Sequence, residues 1–425
     1  MNLSRSLAPL RHRPFALLWA GAFVSNIGTW METVAVGVLV TTETGQAGWA
    51  GLVAAAGFVP TAVIGPVGGA LADRLNRRHI MLVTTVVQTG LATLLTVLAI
   101  AGNPSPGVVT LIVLAAGCTL ALGFPAYQAL LPDLVPREDL PGAVALSSAQ
   151  WNLGRVIGPA LAGIVISIGG YAWAFGFNAV SFLAVFAVLL AIRPPVRKRQ
   201  TDASILEAIR AGARFARTEP GLRVVVGYMA LNTLLAAPFI ALVPAVALKV
   251  FHNEDAGTAL LVTGQGVGAV LMGLSLGPLH DRFGNRRVML GVLWGLPVAL
   301  CAYAYAPNLW FGVVTIFVVG FLYLGALSSF TTIAQLRAPD HLRGRVLSVL
   351  MFLLGALYPL GSVLQGAIAD RVGLRATTAG AALIMAGVLL TVRLLRPQIA
   401  DALEQPVDEE LAAADVVVSK PVPAG

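Results

Sequence analysis

The sequence predicts an all-α membrane protein in which twelve transmembrane helices form two pseudo-symmetric six-helix bundles. Three observations support this fold class: apolar residues dominate, apolar stretches of membrane-spanning length recur, and a short charged motif occurs twice. Hydrophobic residues make up 57% and charged residues 11% of the chain, whereas about a quarter of the residues in a soluble domain are charged. Most side chains therefore do not need contact with water.

A helix needs about 20 mainly apolar residues to cross the hydrocarbon core of a bilayer, and twelve stretches meet this length. The predicted spans are 15–40, 49–72, 80–101, 108–131, 142–168, 172–192, 222–250, 257–280, 288–306, 309–336, 345–369 and 374–395. Residues 1–192 and 222–396 are therefore expected to form the two bundles, joined by a connector at 193–221.

The basic residues predict the orientation of these spans. Of the 28 Lys and Arg residues, all but four lie near the termini, in the connector, or at the loop that follows an even-numbered span. Lys249, Arg371 and Arg375 lie at the other ends, and Arg155 lies within a span. Because cytoplasmic loops carry an excess of Lys and Arg, we expect a bacterial inner-membrane protein with both termini in the cytoplasm. Basic residues clustered at the ends of apolar spans indicate that the chain contacts a lipid bilayer, and they argue against nucleic acid as a partner.

The connector and the tail differ in charge. Residues 193–223 contain eight basic side chains, and their apolar positions recur at helical spacing, which predicts a partly helical connector on the inner membrane surface. The tail at 397–425 is acidic and ends in a proline-rich stretch, so we expect it to be solvated and poorly ordered.

A short charged motif occurs after both the second and the eighth predicted spans. Each copy has the pattern G-x-L-x-D-R followed by paired arginines. The residues are Gly69, Asp73, Arg74, Arg77 and Arg78 in the first copy, and Gly277, Asp281, Arg282, Arg286 and Arg287 in the second. A further pair of similar segments, 140–144 and 342–346, has nearly the same offset, which indicates a duplicated six-helix unit.

These motifs resemble the loop signature of the major facilitator superfamily, and the resemblance extends from Arg13 to Arg396. Asn76 replaces the usual glycine in the first copy, and the second copy has one extra residue before its arginine pair. The resemblance implies the major facilitator fold and a conformational latch at both motifs, in which the aspartates contact arginines and helix termini in one state only. Alternatively, these charges only fix the topology.

Glu32 is one of two charged residues that stand out within the predicted spans. It lies in the first span, where it shares a helical face with Thr29, and Asn26 lies nearby. A charge inside a membrane is costly, and such residues therefore tend to be functional and to face the bundle interior. Glu32 is a candidate proton carrier; alternatively, it is a hydrated residue near the outer mouth.

Arg155 is the other such residue, and it shares a face of the fifth span with Asn152 and Pro159. It is expected to contact an anionic substrate or to pair with Glu32; alternatively, it has a structural or snorkelling role. The surrounding run resembles the fifth-helix signature of exporters in this superfamily, with Gly154, Gly158, Pro159 and Gly163 as helix-packing residues. Small residues at this spacing let helices approach closely.

Polar and aromatic residues in other spans complete the expected cavity. These are Tyr127, Gln128, Asn232 and Tyr358. The fourth span carries Phe124-Pro125-Ala126 instead of the central arginine of many drug–proton antiporters. With the 342–346 segment, this pattern resembles the enterobactin-exporter-like branch, the transmembrane secretion effectors.

We therefore expect a secondary active transporter that exports small amphipathic molecules, drug-like compounds or siderophores, by proton antiport with alternating access. The exporter-like run in the fifth span favours this direction. An importer or symporter, or a transport-inactive sensor, is the alternative on the same fold. The sequence lacks the nucleotide-binding pattern G-x4-G-K-[ST], and its five histidines form no metal-binding motif. We expect no catalytic site, ATPase site, cofactor or metal.

Overall fold

The computed structural model describes residues 7–102, 104–192, 205–253, 256–339 and 342–403. Its helices are labelled here α1 to α12 by membrane crossing. The first bundle comprises α1 (Arg13–Thr44), α2 (Ala47–Val63 and Gly65–Arg74), α3 (Arg77–Ala101), α4 (Pro106–Leu134), and α5 and α6 within Leu140–Ala191. The second bundle comprises α7 (Pro220–Lys249), α8 (Gly257–Phe283), α9 (Asn285–Ala304), α10 (Leu309–Arg337), α11 (Arg343–Val372) and α12 (Leu374–Leu395).

The predicted twelve crossings are confirmed. Within the described residues, ten helices are long and apolar enough to span a membrane, and the two segments of α2, bent by 46°, bring the number to eleven. Leu140–Ala191 has 52 residues, a helical length of about 78 Å, more than twice the bilayer core of about 30 Å. Gly170 interrupts it with φ 70° and ψ −173°, a conformation that glycine adopts readily. It therefore contributes α5 (140–169) and α6 (171–191).

The two bundles meet along two helix pairs, α2 with α11 and α5 with α8. Small residues allow close approach at both contacts. A Cβ atom at Gly163 would lie 2.6 Å from Ala259 Cβ, and one at Gly355 would lie 2.9 Å from Ala62 Cβ. Large apolar side chains such as Ile168, 83% exposed, cover the outside, as expected for a surface that contacts lipid.

The ends of the helices define two faces, which we call the basic face and the opposite face. The basic face holds the α2–α3, α4–α5, α6–α7, α8–α9 and α10–α11 connections and contains nearly all the arginines. The opposite face holds the remaining connections, such as α1–α2 and α11–α12. Helix α2 therefore begins at the opposite face, and α11 ends there.

The connector contains a helix, as the sequence predicted, and the start of the tail is more structured than expected. Ile205–Thr218 forms a helix that packs against α11, where Gly212 contacts the backbone of Arg345. The start of the tail, Pro397–Leu403, forms a 3-10 helix instead of an irregular segment. Arg337 explains this difference, because its buried guanidinium pairs with Glu219 and donates a hydrogen bond to the Leu403 carbonyl at 3.0 Å. Residues 193–204 and 404–425 lie outside the described residues.

Candidate functional site

Arg155 lies at the centre of the molecule, near the midpoint of α5. Its guanidinium carbon is 5.6 Å from the centroid of the Trp30 ring on α1, a cation–π contact. Tyr323 and Tyr358, near the midpoints of α10 and α11, lie within electrostatic range of Arg155. No described residue forms a hydrogen bond or an ion pair with the Arg155 side chain. A cation in the membrane interior is costly, so it has to be satisfied by water or a bound anion.

Aromatic rings from both bundles surround this cation. In the first bundle, Trp151 contacts Trp30 at 5.9 Å and Phe124 at 6.1 Å between ring centroids. Across the bundle interface, Phe58 of α2 contacts Tyr358 edge to face at 5.0 Å. In the second bundle, Phe239 contacts Tyr323 in the same geometry at 5.7 Å. The centre therefore combines one unpaired cation with flat apolar surfaces, which suits an amphipathic molecule with aromatic groups.

Glu32 contacts α6 rather than Arg155. The Asn178 side chain donates a 2.8 Å hydrogen bond to Glu32 Oε2, and Gly28 allows this approach because a Cβ atom there would lie 2.6 Å from Asn178 Oδ1. The Glu32–Arg155 pair that the sequence left open is not formed in this structure. Glu32 has one hydrogen bond and no cationic partner among the described residues. It is thus an intramembrane acid whose charge is uncompensated by basic side chains.

The other predicted cavity residues do not form one cluster. Tyr127 on α4 accepts a 2.9 Å hydrogen bond from Gln150, and Asn152 donates to the Ser148 carbonyl of its own helix. Asn232 is fully buried in a π-helical turn of α7, and its amide atoms lack partners within the described part of the chain. Gln128 is exposed, and Asn26 packs against Gly154. Of this set, Tyr358 lies beside Arg155.

The predicted packing run lies between α1 and α8. A Cβ atom at Gly158 would lie 2.6 Å from Trp30 Cβ and 2.8 Å from the Ile27 carbonyl oxygen. Gly154 approaches Asn26, which lies on α1 like Trp30. Gly163 faces Ala259 of α8, and Pro159 is buried within α5. These small residues therefore bring Trp30 close to α5, where its ring can contact Arg155.

In this conformation, the arginines of the first motif bind their own bundle. Arg77 Nη1 pairs with Asp133 of α4 at 2.5 Å, and Arg78 Nε donates to the Leu189 carbonyl of α6 at 2.5 Å. Asp73 has no hydrogen bond or ion pair to a described residue. In the second motif, Arg286 pairs with Asp401 of the tail at 2.7 Å. The latch contact expected of Asp73 is therefore absent in this conformation and remains a prediction for another one.

Asp370, which the sequence reasoning missed, joins the two bundles at the opposite face. Its carboxylate, at the end of α11, accepts hydrogen bonds from the backbone N–H groups of Ala47 and Gly48, both at 2.7 Å. The two N–H groups begin α2, so Asp370 caps a helix of the other bundle. Lys249 lies 3.6 Å from the same carboxylate. With the Gly163–Ala259 contact, this cap holds the two bundles together at the opposite face.

A third copy of the charged motif could have revealed Asp370. The segment 366–371 reads G-A-I-A-D-R, close to G-A-L-A-D-R at 69–74. The first copy ends a helix at the basic face, whereas this copy ends one at the opposite face. The repeat therefore places an aspartate at the end of α2 and of α11, on opposite sides of the membrane.

Asp370→Asn is expected to loosen this contact between the bundles, because it removes the negative charge that attracts Lys249 and the beginning of α2. A cysteine at buried position Ser362, with Cys118 and Cys301 replaced by serine, reports the change. Its labelling by an impermeant maleimide from the opposite face should accelerate about tenfold, because the asparagine NH2 group cannot accept the second N–H hydrogen bond and the loss of one hydrogen bond to a charged group costs about 1.5 kcal/mol. Arg371→Gln is the matched control and should leave the rate unchanged. Equal rates in both variants would show that Asp370 does not hold the bundles together at this face.

Comparison with known proteins agrees with the fold. The profile of the transmembrane secretion effector family matches residues 4–419, and the chain belongs to this branch of the major facilitator superfamily. The multidrug efflux pump Tap of Mycolicibacterium fortuitum is 31% identical over 86% of this chain and 91% of its own. Macrolide efflux protein A of Streptococcus pyogenes is 25% identical over 84% and 90% of the two chains. The enterobactin exporter EntS of Citrobacter koseri is 30% identical over 79% and 80%.

Solved structures with the same fold are more distant in sequence. A D-xylose–proton symporter superposes with a TM-score of 0.70 at 13% identity, covering 89% of this chain and 96% of that one. A bacterial homologue of the iron transporter ferroportin, in an inward-facing state, gives 0.67 at 15% identity, covering 89% and 98%. At this identity the likeness defines the fold alone. The chain is thus a multi-pass membrane transporter of the major facilitator fold.

Proposed function

We propose that this protein is a secondary active exporter that moves small amphipathic molecules out of a bacterial cell in exchange for protons. Its basic face and both termini lie in the cytoplasm, and the protein resides in the inner membrane. The functions of its relatives, efflux of drugs and macrolides and export of enterobactin, support the outward direction. The excess of arginines on the basic face supports the orientation.

The observation that carries this proposal is the centre around Arg155. The Arg155 guanidinium lies halfway across the membrane with no ion-pair partner among the described residues, and aromatic rings from both bundles lie around it. Transporters of this fold bind substrate near the bilayer midplane between their repeats. Arg155 and Trp30 are the proposed contacts for a substrate that carries an acceptor group and an aromatic body.

Glu32 is the proposed proton carrier. It belongs to the first bundle and hydrogen-bonds Asn178, and no basic side chain among the described residues competes for its carboxylate. Burial without a cationic partner favours the protonated acid, and hydration favours release. A change in water access during the transport cycle then loads and unloads the proton at Glu32, separately from the substrate at Arg155.

Alternating access is the proposed mechanism, and the asymmetric contacts between the bundles support it. At the opposite face, the bundles are held together by the cap from Asp370 to α2 and by the contact of Gly163 with Ala259. At the basic face, Arg77 and Arg78 bind partners within the first bundle, which leaves Asp73 available for a contact in another state. These contacts support the proposal that this conformation is the one open to the cytoplasm. Transport requires the opposite-face contacts to break while contacts at the basic face form.

Inverted membrane vesicles test this function. A macrolide and a catecholate siderophore serve as probes, and an imposed acidic lumen should drive their uptake and consume the proton gradient. The same vesicles without a gradient, and vesicles lacking the protein, are the controls. Uptake of probe and protons together into right-side-out vesicles would identify a symporter and refute the export direction.

A further inference from the structure

We infer that the headgroup of an anionic phospholipid binds at the basic face between α7, α9 and α12, held by Arg393, Arg396 and Tyr228. The inference concerns a site separate from the residues around Arg155 and does not depend on the direction of transport. It rests on three observations: a cavity at this face, unpaired cations at its rim, and an apolar floor beside surfaces that contact lipid.

The cavity has a volume of about 460 Å³. Leu290 and Trp294 of α9 and Leu389 and Val392 of α12 form its apolar part, and Tyr228 of α7 also lines it. Outside it, Leu394 and Leu395 are 69% and 76% exposed, which places the cavity at the edge of the bilayer rather than in the aqueous loops. An acyl chain can therefore follow the apolar wall while its headgroup remains in the cavity.

The rim of this cavity provides donors for a phosphate. The Arg393 guanidinium lies 6.0 Å from the Trp294 ring centroid, and neither Arg393 nor Arg396 has a side-chain hydrogen bond or ion pair to a described residue. Tyr228 is only 9% exposed, and its hydroxyl has no partner within the described ranges, although it lines the cavity. Two arginines and a tyrosine hydroxyl together match the acceptor oxygens of a phosphodiester.

The start of the tail limits the cavity on its aqueous side. Pro397 and Asp401 line it, and Asp401 pairs with Arg286 at 2.7 Å. Arg286 of the second motif thus has an ion-pair partner within the protein, whereas the side chains of Arg393 and Arg396 are left to bind the lipid headgroup. Membrane-facing basic pockets between helices bind anionic headgroups, because each arginine near the surface adds to the attraction.

Native mass spectrometry of the full-length protein in detergent tests this site. Phosphatidylglycerol and phosphatidylethanolamine with identical acyl chains are added separately, and retained lipids are counted. We expect one phosphatidylglycerol to be retained much more strongly than phosphatidylethanolamine. In the variant Arg393→Gln with Arg396→Gln, its affinity should fall about 30-fold. Arg137→Gln with Arg287→Gln, the same charge change on exposed arginines of this face, should retain it.

Tyr228→Phe provides a second variant that leaves all charges in place, and it should weaken the same lipid without affecting phosphatidylethanolamine. Soluble glycerol phosphate distinguishes a lipid from a free phosphate, because it lacks the acyl chains and should not displace the bound lipid. Equal retention of both lipids, equal losses in the two double variants, or displacement by glycerol phosphate would each overturn the inference.

Discussion

Glu32→Gln is expected to abolish proton-driven transport while the protein still folds and binds substrate. Glutamine keeps the oxygen that accepts the 2.8 Å hydrogen bond from Asn178, so the α1–α6 contact can persist. The amide cannot release or bind a proton in the physiological range, and the cycle therefore loses its coupling. The measurement is gradient-driven uptake in inverted vesicles, compared with exchange of labelled for unlabelled substrate without a gradient. Exchange should continue in the variant.

Glu138→Gln is the matched control for this experiment. Glu138 is exposed in the α4–α5 connection at the basic face, and its neutralisation removes the same charge outside the membrane. It should retain proton-driven uptake at the wild-type rate. Normal coupling in Glu32→Gln would place the proton site elsewhere and would leave Glu32 as a structural contact of Asn178.

Gly158→Leu is expected to stop transport by separating α1 from α5. A Cβ atom at this position would already lie 2.6 Å from Trp30 Cβ and 2.8 Å from a backbone oxygen, and the remaining leucine atoms need still more space. Overpacking of this kind costs about 1–3 kcal/mol, and here it also displaces Trp30 from Arg155. The measurements are transport per folded molecule in vesicles and the thermal unfolding temperature in detergent, and both should fall.

Gly90→Leu makes the same side-chain change where there is room. Gly90 is exposed on α3, and no atom lies within 4 Å of a Cβ atom there. Both transport and stability should stay near wild type in this variant. If Gly158→Leu behaves like Gly90→Leu, the α1–α5 contact does not position the central site.

The sequence predicted the membrane fold because the bilayer imposes a simple rule on length and polarity. Each apolar run of about 20 residues became a helix, and the break between α5 and α6 fell at Gly170, between the predicted spans 142–168 and 172–192. The small residues around Gly158 were also visible, since close approach of helices demands them. Helix ends were less accurate: α1, for example, extends from Arg13 to Thr44 rather than 15–40.

Side-chain partners between distant helices could not be predicted in the same way. Glu32 and Arg155 were recognisable as costly charges, but their partners depend on how the helices are rotated about their axes. The structure turns Glu32 towards Asn178 and Arg155 towards Trp30, which separates the two charges. The pair formed by Glu219 and Arg337 joins residues 118 positions apart, and only the folded bundle brings them together. Among these contacts, the one made by Asp370 could have been suspected from the sequence, because Asp370 lies in a copy of the charged motif.

The contact between the bundles at the opposite face has a consequence for how such a protein can evolve. The two donors at Ala47 and Gly48 are main-chain groups that any residue except proline provides. The beginning of α2 is thus constrained in size, since a Cβ atom at Gly48 would lie 2.8 Å from Asp370 Oδ2, but hardly in chemistry. The acceptor, by contrast, is one carboxylate encoded by one codon. A single nucleotide change at that codon can therefore alter how firmly the two bundles are held together at the opposite face, without altering the residues around Arg155.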